Sequence, residues 1–241
     1  MESKYTYSYD VSKSAERIRA IINENDSSFE EVDDIPERSK LTFTNGFYVD
    51  VCAIFIDIRE SSALTSEHRR PKLAKLYRSY ISEIVALLNS YIDCKEINIV
   101  GDCVSGIFNG KTKAHLQNVV NAAAQINSLV KIMNYYFRKN DIVEISIGIG
   151  ITCGRALMIK AGYSGSTIND VVWMGDVVNS ASNLCNKANK LFTKPILIDD
   201  LIYTNQTDDD KKLFTYNSTN KCYEADLINM AMDKWYADNC K

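Results

Sequence analysis

The chain has 241 residues, of which 46% are hydrophobic and 24% are charged, and its net charge is −3. This composition is typical of a soluble globular protein, and its weakly acidic balance disfavours a general nucleic-acid binder, which usually has an excess of Lys and Arg. No apolar run reaches the length of about 18 residues that spans a bilayer, and no secretory signal opens the chain. The sequence therefore predicts a cytoplasmic protein without direct membrane insertion.

Seven cysteines are scattered along the chain without a CxxC pair. They are Cys52, Cys94, Cys103, Cys153, Cys185, Cys222 and Cys240. Several lie in apolar, strand-like runs, so we expect buried, reduced thiols rather than disulfides or zinc ligands. The chain has only 2 histidines, which disfavours histidine-based catalysis or metal binding.

The first half of the chain alternates helical and strand-like patterns. A short helix is predicted over 12–25, followed by an irregular, acidic segment over 26–46 that contains turn-forming residues. The β-forming apolar run over 49–58 predicts a central strand. Apolar residues at helical spacing then predict a helix over 73–92.

A hairpin is predicted over 96–109, with its turn at Gly101 and Asp102. A second amphipathic helix follows over 114–138, and strands over 143–162 are predicted to be separated by a turn near Gly154. The remaining elements are a strand over 171–175, a helix over 176–190, a strand over 195–199 and a short helix over 227–236.

The order of these elements is strand, helix, strand, strand, helix, strand. It predicts an α+β protein with a ferredoxin-like βαββαβ core and added strands and helices. We expect a mostly antiparallel sheet with the helices on one of its faces.

Two aspartates end core-like strands. Asp57 closes the run over 49–58, and Asp102 lies at the tip of the predicted hairpin. If the hairpin lies beside the first strand, both carboxylates reach one edge of the sheet and suit a hard cation such as Mg²⁺ or Mn²⁺. A turn aspartate and a helix cap remain the alternatives.

Two further features suit a phosphate ligand. The loop after Asp57 contains Ser61 and Ser62 and leads into a helix, whose N-terminal N–H groups favour phosphate. Asn179 falls in the first turns of an otherwise apolar helix face, where its amide has access to a phosphate. The alternatives are helix capping for the serines and a solvated surface position for Asn179.

In combination and order, these motifs are specific. FIDIRESSAL, IVGDCVSGIF, IGIGITCGRALMIKAG and VVWMGDVVNSASNL together resemble the class III adenylate and guanylate cyclase catalytic domain, over roughly residues 48–200. The resemblance implies that Asp57 and Asp102 hold two Mg²⁺ or Mn²⁺ ions per active site, with the backbone carbonyl of Ile58 as a further ligand. It also implies a nucleoside triphosphate substrate and a symmetric homodimer with shared active sites.

The same resemblance assigns the substrate contacts. Residues 58–62, with Arg59, Ser61 and Ser62, are expected to wrap the β- and γ-phosphates, and Asn179 to position the ribose. Three positions depart from the adenylate cyclase pattern, in which a lysine, an aspartate or threonine, and an arginine contact the substrate. Here these positions hold Asn98, Val172 and Asn183.

The guanylate pattern is not matched either, so ATP and GTP are disfavoured as dedicated substrates. Without the arginine, another cation must stabilise the transition-state charge. The candidates are Arg59, Arg155, Lys160, Lys187 and Lys221.

A narrower resemblance addresses the substrate. LTFTNGFYVD, SLVKIMNYYF and RALMIKAGYSGSTINDVVWMGDVVN are similar to the Pycsar pyrimidine cyclases, bacterial antiphage enzymes that make cyclic UMP or cyclic CMP. It implies a uridylate cyclase whose product acts on a separate cyclic-nucleotide-gated effector. Asn98 is a plausible base reader because an amide both donates and accepts hydrogen bonds. Tyr48 or Trp173 is placed to stack on the base, or else to pack in the core.

The alternatives that remain open are a cytidylate cyclase, an adenylate cyclase with unusual base contacts, and a catalytically degenerate module for nucleotide binding and dimerisation. A diguanylate cyclase or polymerase palm domain is disfavoured because a GGDEF-type turn is absent. The expected organisation is an N-terminal helix and linker over 1–46, the catalytic domain over 47–200, and a C-terminal extension over 201–241 packed on that domain.

Overall fold

The computed structural model of the protein describes residues 8–67, 70–164 and 169–241. Residues 1–7, on which the expected lack of a secretory signal rests, and His68 lie outside these ranges. The strands are β1 (Phe29–Glu31), β2 (Gly46–Ile58), β3 (Cys94–Val100), β4 (Cys103–Asn109), β5 (Ile147–Gly162), β6 (Asn169–Met174), β7 (Ile196–Ile198), β8 (Thr215–Asn217) and β9 (Cys222–Ala225).

The described part of the chain also contains α-helices. They are α1 (Val11–Ile22), α2 (Ser61–Glu67), α3 (Arg70–Asn89), α4 (Lys113–Lys139), α5 (Asp176–Lys187), α6 (Asp200–Thr204), α7 (Asp208–Lys211) and α8 (Met230–Asn239). Among the described residues, no helix is both long enough and apolar enough to cross a lipid bilayer.

All of these strands belong to one sheet. Its order is β3-β4-β2-β5-β7-β9-β8, with β1 paired to β2 and β6 paired to β5. The chain order β2-α3-β3-β4-α4-β5 places four antiparallel strands in the spatial order β3-β4-β2-β5, which is the ferredoxin-like arrangement. The predicted α+β fold class is confirmed.

The sheet is covered on both faces. On one face, Ile54 and Ile56 of β2 join a core with residues of α3 and α4. On the other face, Val51 and Ala53 pack with Val177 of α5. The expectation that the helices lie on one face is therefore wrong for α5. The unbroken apolar run of β2 reflects this burial on both faces.

Helix α5 sits directly against the backbone of β5. A Cβ atom at Gly148 would lie 2.7 Å from the carbonyl oxygen of Ala188, and one at Gly150 would collide with the backbone of α5. The Thr152 hydroxyl donates a hydrogen bond of 2.6 Å to the carbonyl of Val177. Gly148 and Gly150 therefore let α5 pack closely on β5, and the Thr152 hydrogen bond holds it there.

Strand β5 is continuous through Gly154, so the turn predicted there is wrong. Its residues pair with β2 from Ile147 opposite Ile58 to Ile159 opposite Gly46. A long partner strand supplies hydrogen bonds on both sides of Gly154, which removes the need for a chain reversal.

The segment over 26–46, predicted to be irregular, contributes to the fold. Strand β1 pairs in parallel with the start of β2. Ile35 and Leu41 are buried in the cluster on the α5 side of the sheet, and the Ile35 N–H donates to Asn109 Oδ1 at 3.0 Å. This segment therefore covers sheet surface on the face that carries α5.

Cys52 and Cys153 form a disulfide, which corrects the expectation that all seven cysteines are thiols. The two residues lie directly opposite each other on β2 and β5, with their Cα atoms 4.1 Å apart. The pairing depends on the register of two strands that are 101 residues apart in sequence. The other five cysteines are free.

Candidate active site

The end of β2 and the β3–β4 hairpin bring Asp57 and Asp102 together. Strand β4 pairs directly with β2, and Ile56 lies opposite Val104, so the hairpin turn lies beside the end of β2. Gly101 adopts φ 65°, a left-handed conformation that suits glycine and turns the chain just before Asp102. The geometry thus gives the sheet-edge pair that the sequence predicted.

Burial and the neighbouring charge of Asp102 disfavour the ionised form of Asp57. Burial raises the pKa of Asp57, and the neighbouring Asp102 raises it further, whereas Arg59 and Lys190 lower it. Asp102 Oδ2 is buried and has no hydrogen-bond partner among the described residues. A buried carboxylate oxygen without a donor is costly, so this oxygen indicates a missing positive ligand.

The donor set fits a hard divalent cation. Mg²⁺ is commonly bound through one or two carboxylates, with water and substrate phosphates as the other ligands. Consistent with this, the described residues contain no group of three or more His, Cys, Asp or Glu side chains that would form an all-protein metal cage. The Ile58 side chain is a hydrocarbon buried in the core, so the further ligand predicted at this position is its backbone carbonyl.

Arg59 lies buried beneath this pair. Its side chain is 5% exposed, and its Nη2 lies 2.7 Å from Asp57 Oδ2, while the Asp57 side chain is 27% exposed. Arg59 Nη1 donates to the carbonyl oxygens of Cys185 at 3.2 Å and of Ala188 at 3.4 Å. The guanidinium therefore joins the Asp57 carboxylate to the C-terminal end of α5.

This placement corrects the expected role of Arg59 in wrapping phosphates and in supplying transition-state charge. Its N–H groups are used by Asp57 and by the last carbonyls of α5, where a cation also complements the helix dipole. The sequence pattern missed this because the contact joins residues 126 positions apart.

Lys190 is a cation that the sequence analysis missed. It is exposed, and its charge lowers the pKa of Asp57. It lies in a turn just after α5, where Asn189 and Leu191 both have positive φ angles. The Lys190 N–H donates to Thr193 Oγ1 at 3.0 Å, which fixes the turn.

The other cations considered from sequence have different surroundings. Arg155 pairs with Glu31, and its guanidinium carbon lies 4.1 Å from the centre of the Tyr48 ring. Lys160 lies 5.0 Å from the centre of the Phe43 ring. Lys187 is exposed in the last turn of α5, and Lys221 is exposed beside β9.

Two tyrosines and two thiols surround the carboxylates. Burial raises the pKa values of Tyr77 and Tyr80, and the charges of Asp57 and Asp102 raise them further. Burial also raises the pKa of Cys103 to about 11 and that of Cys185 to about 12, so both remain protonated thiols near neutral pH. Mg²⁺ and Mn²⁺ prefer oxygen ligands, so the carboxylates rather than these thiols are the relevant donors.

The loop between β2 and α2 has a strained backbone. Glu60 adopts φ 57°, a left-handed conformation that costs a non-glycine residue on the order of 1 kcal/mol or more and is often found at functional sites. Helix α2 begins at the next residue, Ser61. Ser61 is half-buried and Ser62 is exposed, so both are accessible from solvent beside Asp57.

Helix α5 carries Asn179 and Asn183 on its exposed side. Asn179 precedes Cys185, whose carbonyl holds Arg59, by six residues, which corresponds to roughly 9 Å along a helix. The structure therefore places Asn179 near the opposite end of α5 from the carboxylate pair. It does not bring Asp57, Asp102 and Asn179 of one chain into a single cluster.

A second polar cluster surrounds Asn98. Its amide nitrogen donates to Glu96 Oε1 at 3.3 Å, and Arg38 Nη2 lies 3.2 Å from the same oxygen. Arg38 Nη1 lies 3.2 Å from Asp170 Oδ1 on β6. Arg38 comes from the segment predicted to be irregular, so no sequence motif indicated its contact with β3 and β6.

The remaining predicted residues lie on β6 and β2. Val172, two residues after Asp170, is exposed. Trp173 packs against the apolar cluster on the α5 side, and its indole N–H is buried without a partner among the described residues. One face of the half-buried Tyr48 ring is covered by Arg155. The packing of Trp173 against the apolar cluster favours a role in the core over stacking on the base.

Comparisons with known proteins agree with this geometry. The adenylate and guanylate cyclase catalytic domain family matches residues 44–194. A uridylate cyclase of Gulbenkiania mobilis is 41% identical over 252 residues, covering 96% of this chain and 97% of the relative. A uridylate cyclase of Treponema porcinum is 37% identical over 231 residues, covering 94% and 80%.

Solved structures with low sequence identity share the fold. The adenylyl cyclase CyaB from Pseudomonas aeruginosa has a TM-score of 0.62 at 22% identity and covers 71% of this chain and 85% of its own. A class III adenylyl cyclase-like ATP-binding protein from the same species has a TM-score of 0.73 at 14% identity and covers 93% and 48%. At these identities the likeness concerns the fold alone.

Proposed function

The chain belongs to the catalytic-domain family of adenylate and guanylate cyclases, and from this premise we propose that it converts UTP to 3′,5′-cyclic UMP and pyrophosphate. The observation that carries the reaction is the convergence of Asp57 and Asp102, with a buried carboxylate oxygen left without a partner among the described residues. The choice of UTP is supported by the relatives at 41% and 37% identity that are named uridylate cyclases.

In this reaction the ribose 3′-oxygen forms a bond to the α-phosphorus. The bond from that phosphorus to the oxygen that bridges the α- and β-phosphates breaks, pyrophosphate leaves with the bonding electrons, and the hydroxyl proton passes to solvent. Two Mg²⁺ or Mn²⁺ ions, when bound, supply activation of the 3′-hydroxyl and neutralisation of the triphosphate charge.

The residues of the chain take separate parts in this proposal. Asp57, Asp102 and the backbone carbonyl of Ile58 hold the cations. Ser61 and Ser62, at the start of α2, face the β- and γ-phosphates, where backbone N–H groups favour anions. Arg59 positions Asp57 rather than touching substrate, because its side chain is 5% exposed.

The position of Asn179 on α5 supports a symmetric homodimer with two shared active sites. Asn179 lies roughly 9 Å along α5 from the end that holds Arg59, so it serves the carboxylate pair of the partner chain better than its own. In this arrangement Asn179 orients the ribose, and Asn98 and Val172 border the base. Lys190 is a candidate to replace the charge of the arginine whose position Asn183 occupies, because it is exposed just after the end of α5 that holds Arg59.

We further propose that cyclic UMP acts on a separate cyclic-nucleotide-gated effector in a bacterial antiphage system of the Pycsar type. The support is the resemblance of several stretches, including the one around Asn179, to these cyclases. Neither nucleic acid nor a membrane is required by this role, and we place the enzyme in the cytoplasm.

Identification of the product tests the proposal. The purified chain is incubated with UTP, CTP, ATP and GTP in the presence of Mn²⁺, and products are identified by mass, with the Asp57→Ala variant as the inactive control. Cyclic UMP is expected as the main product. Cyclic CMP or cyclic AMP as the main product would replace UTP by that substrate. No product from any of the four would indicate a degenerate nucleotide-binding module.

A further inference from the structure

The orientation of the Asn98 amide is fixed by a buried neighbour. Asn98 Nδ2 lies 3.3 Å from Glu96 Oε1. A carboxylate only accepts hydrogen bonds, so the amide nitrogen, which is the donor, must face Glu96. The Asn98 carbonyl oxygen then faces away from Glu96. An amide whose orientation is usually ambiguous is therefore assigned by its partner.

Glu96 is itself held in place. Arg38 Nη2 lies 3.2 Å from the same Oε1 atom, and the Glu96 side chain is only 2% exposed, whereas that of Arg38 is 56% exposed. Arg38 also contacts Asp170 at 3.2 Å, which ties the guanidinium to β6. The ion pair with Arg38 holds the Glu96 carboxylate in place. The hydrogen bond from Asn98 to Glu96 cannot reverse direction, because a carboxylate only accepts.

We propose that Glu96, held by Arg38, is a specificity-determining residue that selects uracil over cytosine by turning the Asn98 carbonyl oxygen toward the base. This inference rests on the proposed function, in which Asn98 borders the base. N3 of uracil carries a hydrogen and needs an acceptor, whereas N3 of cytosine is itself an acceptor. The Asn98 oxygen accepts from uracil N3–H and repels the lone pair on cytosine N3, so selectivity has both an attractive and a repulsive part.

The buried position of Glu96 assigns it an indirect role. With 2% exposure, its carboxylate does not reach a ligand in the cleft and acts only through Asn98. A change at Glu96 should therefore alter the ratio between two pyrimidine substrates more than the rate of the chemical step. That pattern separates a residue that orients a base reader from one that only stabilises the fold.

The test is Glu96→Gln. The substitution removes the charge that pairs with Arg38, and a glutamine whose amide nitrogen takes the place of Oε1 donates to the Asn98 oxygen and turns that amide. The ratio of kcat/KM for UTP to that for CTP is expected to fall about tenfold, through a rise in KM for UTP and a fall in KM for CTP, with kcat for UTP changing less. Glu83→Gln on the exposed side of α3 is the matched control and should keep the wild-type ratio.

Arg38→Met provides a second test if Glu96→Gln lowers the yield of folded protein, because Arg38 is half-exposed. It should shift the ratio in the same direction. If the wild type makes cyclic UMP and both folded variants keep its UTP-to-CTP ratio, the inference is wrong while the proposed function stands. If the wild type cyclises neither pyrimidine nucleotide, the proposed function fails first and this inference falls with it.

Discussion

The two ends of the site are built in different ways. The carboxylate end, formed by Asp57, Arg59 and Asp102, is anchored by a side chain that is 5% exposed. The base end, formed by Arg38, Glu96, Asn98 and Asp170, is anchored by a guanidinium that is 56% exposed and comes from the segment before β2. Under the proposed function, the residues assigned to the reaction are fixed in the core, whereas those assigned to substrate choice are held by a surface segment that can vary independently.

If this comparison holds, substitutions at the carboxylate end have the largest effects on turnover. Asp102→Asn keeps the shape of the side chain but removes a charge that a divalent cation needs. We expect kcat/KM to fall by about a thousandfold or more, because a catalytic metal contributes several kcal/mol to transition-state stabilisation. Mn²⁺ binding, followed by electron paramagnetic resonance, should weaken in parallel.

The control for this substitution is Asp208→Asn, since Asp208 is an almost fully exposed aspartate on α7. It should leave both turnover and Mn²⁺ binding unchanged. An Asp102→Asn enzyme with near-normal turnover would remove the functional distinction between the two ends and the two-metal proposal with it.

The sequence revealed the carboxylate end because its signals are local. Asp57 interrupts an apolar strand and Asp102 follows a turn glycine, so each residue is unusual in its own surroundings. The α+β order of elements followed from periodicity for the same reason. The meeting of the two aspartates still depended on the antiparallel pairing of β2 with β4, which became clear only from the structure.

Asn98 was identified from sequence, but its contacts at the base end and the disulfide were not, because they depend on long-range contacts. Arg38 contacts Asp170 across 132 positions, and Cys52 pairs with Cys153 across 101. No periodicity near Arg38 distinguishes it from any other arginine in a loop. Arg59 was misassigned for a related reason: its position beside Asp57 was known, but the direction of its side chain toward the end of α5 was not.

Asn179 tests whether the carboxylate end needs a second chain. Asn179→Ala should lower kcat about a hundredfold, the usual effect of losing one donor to a developing charge. Mixing this variant with inactive Asp57→Ala should restore activity to about a quarter of the wild type, because half of the dimers are mixed and each has one intact site. If the mixture stays as inactive as its components, Asn179 does not serve the partner's carboxylates.

Arg59 is expected to have a smaller effect, because it acts only through Asp57. Arg59→Lys keeps the positive charge but cannot reach Asp57 Oδ2 and the carbonyls of Cys185 and Ala188 together. We expect kcat to fall about tenfold, as for other residues that orient a metal ligand, and the free energy of unfolding to fall by about 2 kcal/mol.

A titration with Mn²⁺ distinguishes positioning from simple loss of metal. If Arg59 positions Asp57, saturating Mn²⁺ will not restore the rate of Arg59→Lys. Full recovery at high Mn²⁺ would instead mean that only metal affinity had changed. Arg19→Lys on the exposed side of α1 is the matched control and should behave as the wild type does.

The smallest effect is expected at the outer part of the base end. Asp170→Asn removes the negative charge that pairs with Arg38, but Glu96 Oε1 remains 3.2 Å from the same guanidinium. Because both side chains of the Arg38–Asp170 ion pair are partly exposed, losing the pair should change the free energy of unfolding by less than about 1 kcal/mol. The UTP-to-CTP ratio should change by about two- to threefold.

The Asp170→Asn and Glu96→Gln variants should be measured side by side. A shift in the ratio at Asp170 as large as that at Glu96 would mean that the β6 contact, rather than the buried carboxylate, sets the position of Arg38. In that case substrate choice would depend on how β6 packs against the segment before β2, and the base end would respond as one unit to changes in either strand.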